Sequence, residues 1–255
     1  MHPVRHPGTN IRNRHAMPRK EGIRKLFDNI APDYDRLNHI LSLDIDRIWR
    51  KKAIQETLKD LPADSARILD VACGTGDFAI GLAKNLKSGS TVTGSDISEG
   101  MLRIGREKAE KAGMSAMLSL ELGDCENLPY RDGLYDRVTA AFGVRNFEHL
   151  ETGLKEMLRV LKPGGKLVIL ELSVPGNRLL FALYRLYFLH VLPAIGGAVS
   201  GNRGAYEYLP ASVLRFPKPE EFKKMLSSCG FSEVFHRSFT FGICRMYVGT
   251  KGQNR

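Results

Sequence analysis

One run of ten residues constrains this chain most: Ile68-Leu69-Asp70-Val71-Ala72-Cys73-Gly74-Thr75-Gly76-Asp77. Ile68, Leu69 and Val71 make a short apolar strand. Gly74 and Gly76 let the backbone turn sharply and approach a ligand with no Cβ in the way. Phe78, Ala79, Leu82 and Ala83 then recur at helical spacing. A strand that breaks into a glycine turn and opens a helix points unpaired N–H groups outward. In an open parallel sheet, ligands bind where strands end in such turns.

The choice of ligand follows from the spacing. A dinucleotide fingerprint wants G-x-G-x-x-G, but Ala79 stands at the third glycine position. The pattern is Asp70-x-Ala72-x-Gly74-x-Gly76. It resembles the first motif of class I S-adenosylmethionine-dependent methyltransferases, D/E-x-G-x-G-x-G, with Ala72 replacing the first glycine. A cationic sulfonium with an amino-acid tail suits an acidic turn better than a pyrophosphate does.

The 255 residues suffice for one α/β domain with a sizeable core and an insertion. Half of the net charge of +10 lies in residues 1–20, which hold Arg5, Arg12, Arg14, Arg19 and Lys20 and no acid. With three prolines and almost no apolar periodicity, this basic tail is expected to be disordered. Its charge is compatible with nucleic acid, an anionic membrane surface, or plain solvation. Cys73, Cys125, Cys229 and Cys244 form no C-x-x-C pair and show no metal spacing, so no metal is expected and a reducing, cytoplasmic compartment is. With no apolar run in residues 1–20, no secretory leader is expected, and with no run of about 18 apolar residues, no membrane-spanning helix is expected.

Structure is expected to begin near Glu21, where Ile23, Leu26, Phe27 and Ile30 share one helical face. A second helix is expected over Asp46–Leu58. After the glycine turn, strands are expected at Thr91–Asp96, Met117–Leu122, Leu134–Ala141 and Lys166–Leu172. Ser98 is the expected N-cap of the helix after the second strand. A helix over Leu150–Leu161 is expected to stop at Lys162-Pro163-Gly164-Gly165, and another to span Glu220–Cys229. Repeated βα units imply a parallel sheet. The two last strands, near 231–238 and 241–249, have no helix between them and should form an antiparallel hairpin. Residues 174–215 interrupt the pattern. Their apolar run, 179–192, is broken only by Arg185 and His190; it can pack over strand ends or turn one face to lipid.

Asp96, at the end of the second strand, can accept from ribose hydroxyls. Asp124 and Cys125 follow the third strand, where methyltransferases typically meet the adenine amino group. Gly74 and Thr75 complete the expected cofactor contacts.

At the end of the fourth strand stands Phe142-Gly143-Val144-Arg145-Asn146. This resembles the F-G-x-R-N of the ubiquinone/menaquinone biosynthesis C-methyltransferase family. Further marks of that family are Phe27-x-x-Ile30-Ala31-x-x-Tyr34-Asp35-x-x-Asn38, Trp49-Arg50, Gly123 through Pro129, His190-Val191-Leu192-Pro193 and Tyr206-x-Tyr208-Leu209. The resemblance implies a Rossmann-like, seven-stranded, mostly parallel α/β sheet with a C-terminal antiparallel hairpin. It implies S-adenosyl-L-methionine as cofactor and methylation of a ring carbon on a reduced polyprenyl quinone. Ala141 stands where family members often carry Ser, so that contact is not carried over.

The ring carbon becomes nucleophilic when the neighbouring hydroxyl loses its proton, and the protein must align carbon and methyl and stabilise the phenolate. Arg145 is the expected stabiliser; always protonated, it is a poor base. A water held by Arg145 and Asn146 is the expected proton acceptor, with His149 as a rival. Gly143 is expected to admit the ring, and Tyr34, Asn38, Tyr206 and Tyr208 to hold it. The leading expectation is conversion of demethylmenaquinol to menaquinol. Benzoquinol methylation in ubiquinone synthesis is the near alternative, and an RNA methyltransferase the distant one. Contact with the inner face of a membrane is expected from the lipophilic substrate, and no nucleic-acid partner.

Overall fold

The computed structural model describes residues 20–42, 44–62, 65–187 and 203–253. Its centre is a seven-stranded sheet. The strands are β1 (Arg67–Val71), β2 (Thr91–Asp96), β3 (Leu118–Leu122), β4 (Tyr135–Ala141), β5 (Leu161–Leu172), β6 (Phe231–Phe239) and β7 (Cys244–Lys251). Their spatial order is β3-β2-β1-β4-β5-β7-β6. The first five are mutually parallel, and β7 runs antiparallel to both β5 and β6. The expected fold class and C-terminal hairpin are therefore both present.

The sheet is buried on both faces because its strands alternate between two cores. Ile68, Val168 and Leu170 join Phe78 and Leu82 of α4 (Asp77–Ala83), Leu102 of α5 (Glu99–Lys111) and Trp49 and Ala53 of α3 (Ile45–Leu58) on one side. Leu69, Val71, Leu167 and Ile169 join Leu154 and Met157 of α6 (Leu150–Val160) on the other. A side-chain period of two makes neighbours in one strand serve opposite layers. The chain winds from β1 outward through β2 to β3, then returns to place β4 on β1's other side. That reversal opens a crevice at the C-terminal ends of β1 and β4.

Several expected boundaries move. Lys20, assigned to the tail, is the first residue of α1 (Lys20–Ile30); the rest of the tail lies outside the described residues. The fifth strand starts five residues earlier than expected, at Leu161 rather than Lys166. Leu161 pairs with Tyr135, and a register shift between Tyr135 and Arg137 absorbs the Pro-Gly-Gly turn inside the strand. The last strand begins at Cys244 because Thr240–Gly242 forms a 3-10 turn. Ser98 caps α5 as expected, accepting from Met101 N at 3.2 Å. Two more helices, α7 (Arg178–Leu186) and α8 (Arg203–Arg215), lie in the expected insertion, whose residues 188–202 are outside the described set. The last helix, α9, spans Pro219–Ser228.

Candidate active site

The turn after β1 has three left-handed residues in alternation, Ala72 (φ 52), Gly74 (φ 55) and Gly76 (φ 77). The Ala-x-Gly-x-Gly spacing is this backbone requirement written in sequence. A Cβ on Gly74 would meet nothing within 4 Å, so its φ, not crowding, demands glycine. Asp96 holds the turn: its Oδ2 accepts from Gly74 N at 2.8 Å and its Oδ1 from Ser98 N at 2.9 Å. Burial raises the Asp96 carboxyl, while the two backbone N–H donors pull it back. Asp70 sits beneath, buried, with Oδ1 accepting from Thr139 Oγ1 at 2.8 Å and Oδ2 without a partner. Burial raises Asp70 to about 7.

Above the turn lies a cleft of about 830 Å³. All five expected cofactor residues, Gly74, Thr75, Asp96, Asp124 and Cys125, line it. Burial, with Asp124 and Glu126 nearby, pushes the Cys125 thiol up, so it remains a neutral thiol. The charged lining is Asp77, Asp96, Asp124, Glu126 and Glu148 against Lys20 and Arg50. An excess of carboxylates, backbone N–H groups and apolar Ile97 and Met101 fits an adenosine that carries a sulfonium.

Two helices, α1 and α2 (Tyr34–Ser42), lie across this cleft, contributing Lys20, Ile23, Phe27 and Tyr34 to its lining. Three polar tethers hold them. Lys20 Nζ donates to Asp124 Oδ2 at 2.6 Å and to Glu126 Oε2 at 3.3 Å. Asp28 Oδ1 accepts from Ser98 Oγ at 2.6 Å and Gly100 N at 3.1 Å, at the start of α5. Asp35 accepts from Thr75 Oγ1 and from Lys108 Nζ, each at 2.5 Å. Asp124, assigned by sequence to a ligand, is thus also a lid anchor.

A second pocket of about 590 Å³ abuts the first, and Tyr34, Arg50 and Phe142 line both. Arg145 and Asn38 line it too, with apolar Trp49, Leu172, Leu209 and Ile243. Arg145 follows β4 in a 3-10 turn, Val144–Asn146. Its guanidinium donates to Glu171 Oε1 at 2.8 Å and to the Phe142 carbonyl, and its backbone N to Glu171 Oε2 at 3.1 Å. Both side chains are buried, and the Arg145 Nε has no hydrogen-bond partner. Burial works against the Arg145 charge, but Glu171, with Tyr34 and Tyr208, more than restores it and holds its pKa up. Burial also raises the Tyr34 phenol against the pull of Arg145, so Tyr34 is a neutral donor.

The expected pair Arg145–Asn146 is split between the two cavities. Arg145 lines the second, whereas Asn146 lines the first and accepts from Tyr208 OH at 2.9 Å through Oδ1. Gly143 lines the first cavity, and a Cβ there would lie 2.6 Å from that of Ala72. His149 is exposed, pairs with Glu126 Oε2 at 2.9 Å, and lines neither cavity. The backbone of Tyr206 lies in α8; its side chain is outside the described set. His39, Asp44 and Asp46 bring ligand atoms within 4.8 Å of one another, but Asp46 already serves Ser42, His39 and Arg50.

Sequence reasoning missed Arg50, Glu171 and the strained Phe142 (φ 62), which separates the cavities. Arg50 stacks on that ring, 5.0 Å from its centroid. Trp49-Arg50 and Phe142 stand among the family marks, but nothing local assigns them a cavity. Glu171 reads as one polar residue in an apolar strand, which is a signal that a buried partner exists.

The family model described as ubiE/COQ5 methyltransferase family matches residues 15–251. A Geobacter sulfurreducens protein named ubiquinone/menaquinone biosynthesis C-methyltransferase UbiE is 47% identical over 91% of this chain and 89% of its own. A Bacteroides fragilis demethylmenaquinone methyltransferase is 48% identical over 91% of this chain and 94% of its own. Two solved structures share the fold. The [4+2]-cyclase SpnF has a TM-score of 0.69 at 17% identity, covering 94% of this chain and 98% of its own. A Thermotoga maritima S-adenosylmethionine-dependent methyltransferase, possibly acting on histamine, has a TM-score of 0.60 at 21% identity, covering 89% and 99%.

Proposed function

The chain belongs to the ubiE/COQ5 methyltransferase family, and from that premise we propose that it methylates a ring carbon of demethylmenaquinol to give menaquinol. It is an S-adenosylmethionine-dependent C-methyltransferase. The observation that carries the substrate reading is the shared wall. Tyr34, Arg50 and Phe142 bound both a carboxylate-rich cleft and a largely apolar pocket ending on a buried arginine. A methyl donor and an apolar, weakly acidic acceptor are thereby set side by side.

When bound, S-adenosylmethionine supplies an electrophilic methyl, and the ring carbon displaces the thioether. The residues do the rest. Arg145, which lines the second pocket, stabilises the phenolate from which the carbon draws its electrons. Glu171 fixes the guanidinium so that no reorganisation is needed as charge develops. Tyr34, kept protonated by burial, donates to the ring's oxygens, with Asn38 beside it in the pocket. The phenolic proton passes to water in the second pocket, and after methyl transfer the methylated ring carbon gives up its own hydrogen to water as the oxygen is reprotonated, which restores the aromatic quinol.

The second pocket's floor is small beside a polyprenyl chain, so the tail must continue along exposed apolar surface. Leu179 and Leu186 on α7 and Phe241 at the β6–β7 turn are 70%, 58% and 77% exposed. A Cβ on Gly242 would lie 3.5 Å from the Pro175 backbone, so the β6–β7 turn packs against the entry to α7. This face, with Arg178 and Arg185, rests on a membrane surface at its cytoplasmic side. No described helix is long and apolar enough to cross a membrane.

The decisive experiment supplies labelled cofactor with demethylmenaquinol and, separately, a polyprenyl benzoquinol, and reads products by mass. Label in the naphthoquinol is expected. Label in the benzoquinol alone would move the enzyme to ubiquinone synthesis, and label in neither would overturn the quinol reading.

A further inference from the structure

We propose that Asp46 and His39 form the proton outlet of the second pocket, Asp46 taking the reaction's proton from pocket water and His39 releasing it to solvent. The proposal deepens the quinol reading and rests on it. Methylation replaces the hydrogen on a ring carbon, and the phenolic oxygen loses one proton and regains one. The positive charge of the sulfonium is lost when the thioether forms. Charge therefore balances only if one proton leaves the pocket in each turnover. Water among Trp49, Phe142, Leu172, Leu209 and Ile243 can carry that proton to the wall, but an apolar surround is a costly place to hold a charge. Among the described residues that line the pocket, Asp46 is the one carboxylate, and no histidine or cysteine joins it. The other ionisable side chains there are two arginines, which do not lose their protons, and Tyr34, which already carries its own.

Asp46 is only 3% exposed, yet its partners lead outward across the α2–α3 turn. Ser42, which also lines the pocket, donates from Oγ to Asp46 Oδ1 at 2.6 Å. His39 Nδ1 lies 3.2 Å from that same oxygen. Asp46 Oδ2 accepts from Arg50 Nε at 3.3 Å. Burial works to raise the Asp46 carboxyl, but Ser42, Arg50 and His39 hold it below the usual range. It stands ionised, and a carboxylate of that kind passes a proton on rather than keeping it. The His39 ring stands on the far side. It lines a surface hollow of about 1010 Å³, which Asp46 does not line. Arg50 lines both the pocket and the hollow, so the two spaces meet at this cluster. Around the ring, Asp44 Oδ1 lies 3.9 Å from Nδ1 and Asp77 Oδ2 lies 3.9 Å from Nε2, with Arg47 and Lys51 on the hollow's wall. Imidazole is the side chain that gains and loses a proton near neutral pH, so it suits the last step to water.

Quinol turnover and calorimetry with S-adenosylhomocysteine, read together on two variants, test this. Asp46→Asn keeps the shape and removes the proton-accepting charge. It is expected to lower kcat about 100-fold, the worth of a positioned base, with quinol KM and S-adenosylhomocysteine affinity within about threefold. His39→Ala changes a partly exposed residue and leaves Asp46 in place, so kcat should fall less, about tenfold. Added imidazole should restore most of that loss, whereas pyrazole, of the same shape but a far weaker base, should restore none. Wild-type kcat in His39→Ala, or equal rescue by pyrazole, would make the pair a brace for the α2–α3 turn and overturn the proposal. So would an Asp46→Asn protein whose S-adenosylhomocysteine affinity falls as far as its kcat. If Asp46→Asn does not fold, His39→Ala and its rescue decide alone. A wild-type protein that binds S-adenosylhomocysteine but methylates no quinol would overturn the quinol reading, and the proposal with it; one that methylates quinol while His39→Ala keeps full turnover would fail only the proposal.

Discussion

The cofactor cleft takes its polar atoms from the ends of neighbouring parallel strands, whereas the pocket around Arg145 is assembled from α2, α3, the turn after β4, β5 and α8. The cleft's partners are close in space because the sheet makes them so. Asp96 needs only the β1–β2 register to reach Gly74. The pocket's central contact joins residues on two different strand ends, Arg145 and Glu171, and no sheet rule fixes which side chains meet there. A preformed, backbone-built cleft can be general to a fold; a side-chain-built pocket is where one reaction is distinguished from another.

Arg145→Ala should break the comparison most sharply. Turnover is expected to fall by about 10²–10³, because the charge matters most when the phenolate forms, while cofactor affinity changes little. The same change strands Glu171, fully buried, and should cost about 3–5 kcal/mol of stability by denaturant melt. Arg145→Lys should also be impaired, since a point charge cannot reproduce the fork. Equal losses in turnover and cofactor affinity would mean that the two cavities are not functionally separate.

On the cleft side, Asp70 sets a pH dependence. Its folded carboxyl titrates at about 7, and the unfolded one near 3.9. Between those values the folded protein keeps a proton that the unfolded chain has lost, so stability falls as pH rises from about 4 to about 7. The fall is up to roughly 4 kcal/mol, and Asp70→Asn should flatten it. An Asn variant with the wild-type slope would place the titration elsewhere.

Asp96→Ala should weaken S-adenosylhomocysteine by roughly 1.5–3 kcal/mol in calorimetry, because its carboxylate holds the glycine turn that bounds the cleft. The KM for quinol should barely change. A matching rise in quinol KM would show the two sites to be one.

How legible each region was follows from the same contrast. Asp70, Gly74, Gly76 and Asp96 stand at fixed offsets from strand ends, so period and turn chemistry found them. Arg145, Tyr34 and Asn38 were reached only through resemblance to a family. Glu171 and Arg50 escaped because their roles depend on packing between segments far apart in sequence. Lys20 escaped for another reason: it precedes Ile23, the first apolar position of its helix, so the apolar pattern does not reach it. Ala72 stands where the motif has its first glycine, and the backbone holds it at φ 52, a conformation that costs a residue with a Cβ about 1–2 kcal/mol.

The apolar rim gives a smaller test. Leu179→Asp, at an exposed position, should leave the fold intact and raise the apparent KM for long-tailed quinols by about tenfold, since each buried CH₂ is worth about 0.8 kcal/mol. A short-tailed analogue should be nearly indifferent. Phe181→Asp, two residues along the same helix, should act in the same direction. Equal effects on both substrates would make α7 a structural helix only.

The three tethers of α1 and α2 also set a rhythm for the enzyme. A spent thioether in the cleft would lie under these helices, and its release would then require Lys20, Asp28 and Asp35 to let go. Of α1's residues only Ile23 is buried, so what resists opening is chiefly charge. Charge yields to salt, whose screening length is about 8 Å at physiological strength. Product release, read by stopped-flow displacement, should therefore quicken a few-fold between low and physiological ionic strength. A release rate indifferent to salt would mean that the lid is held by its apolar contacts. With salt-sensitive release, the slow beat of the cycle is the unlatching of a helix, and the methyl transfer waits on it.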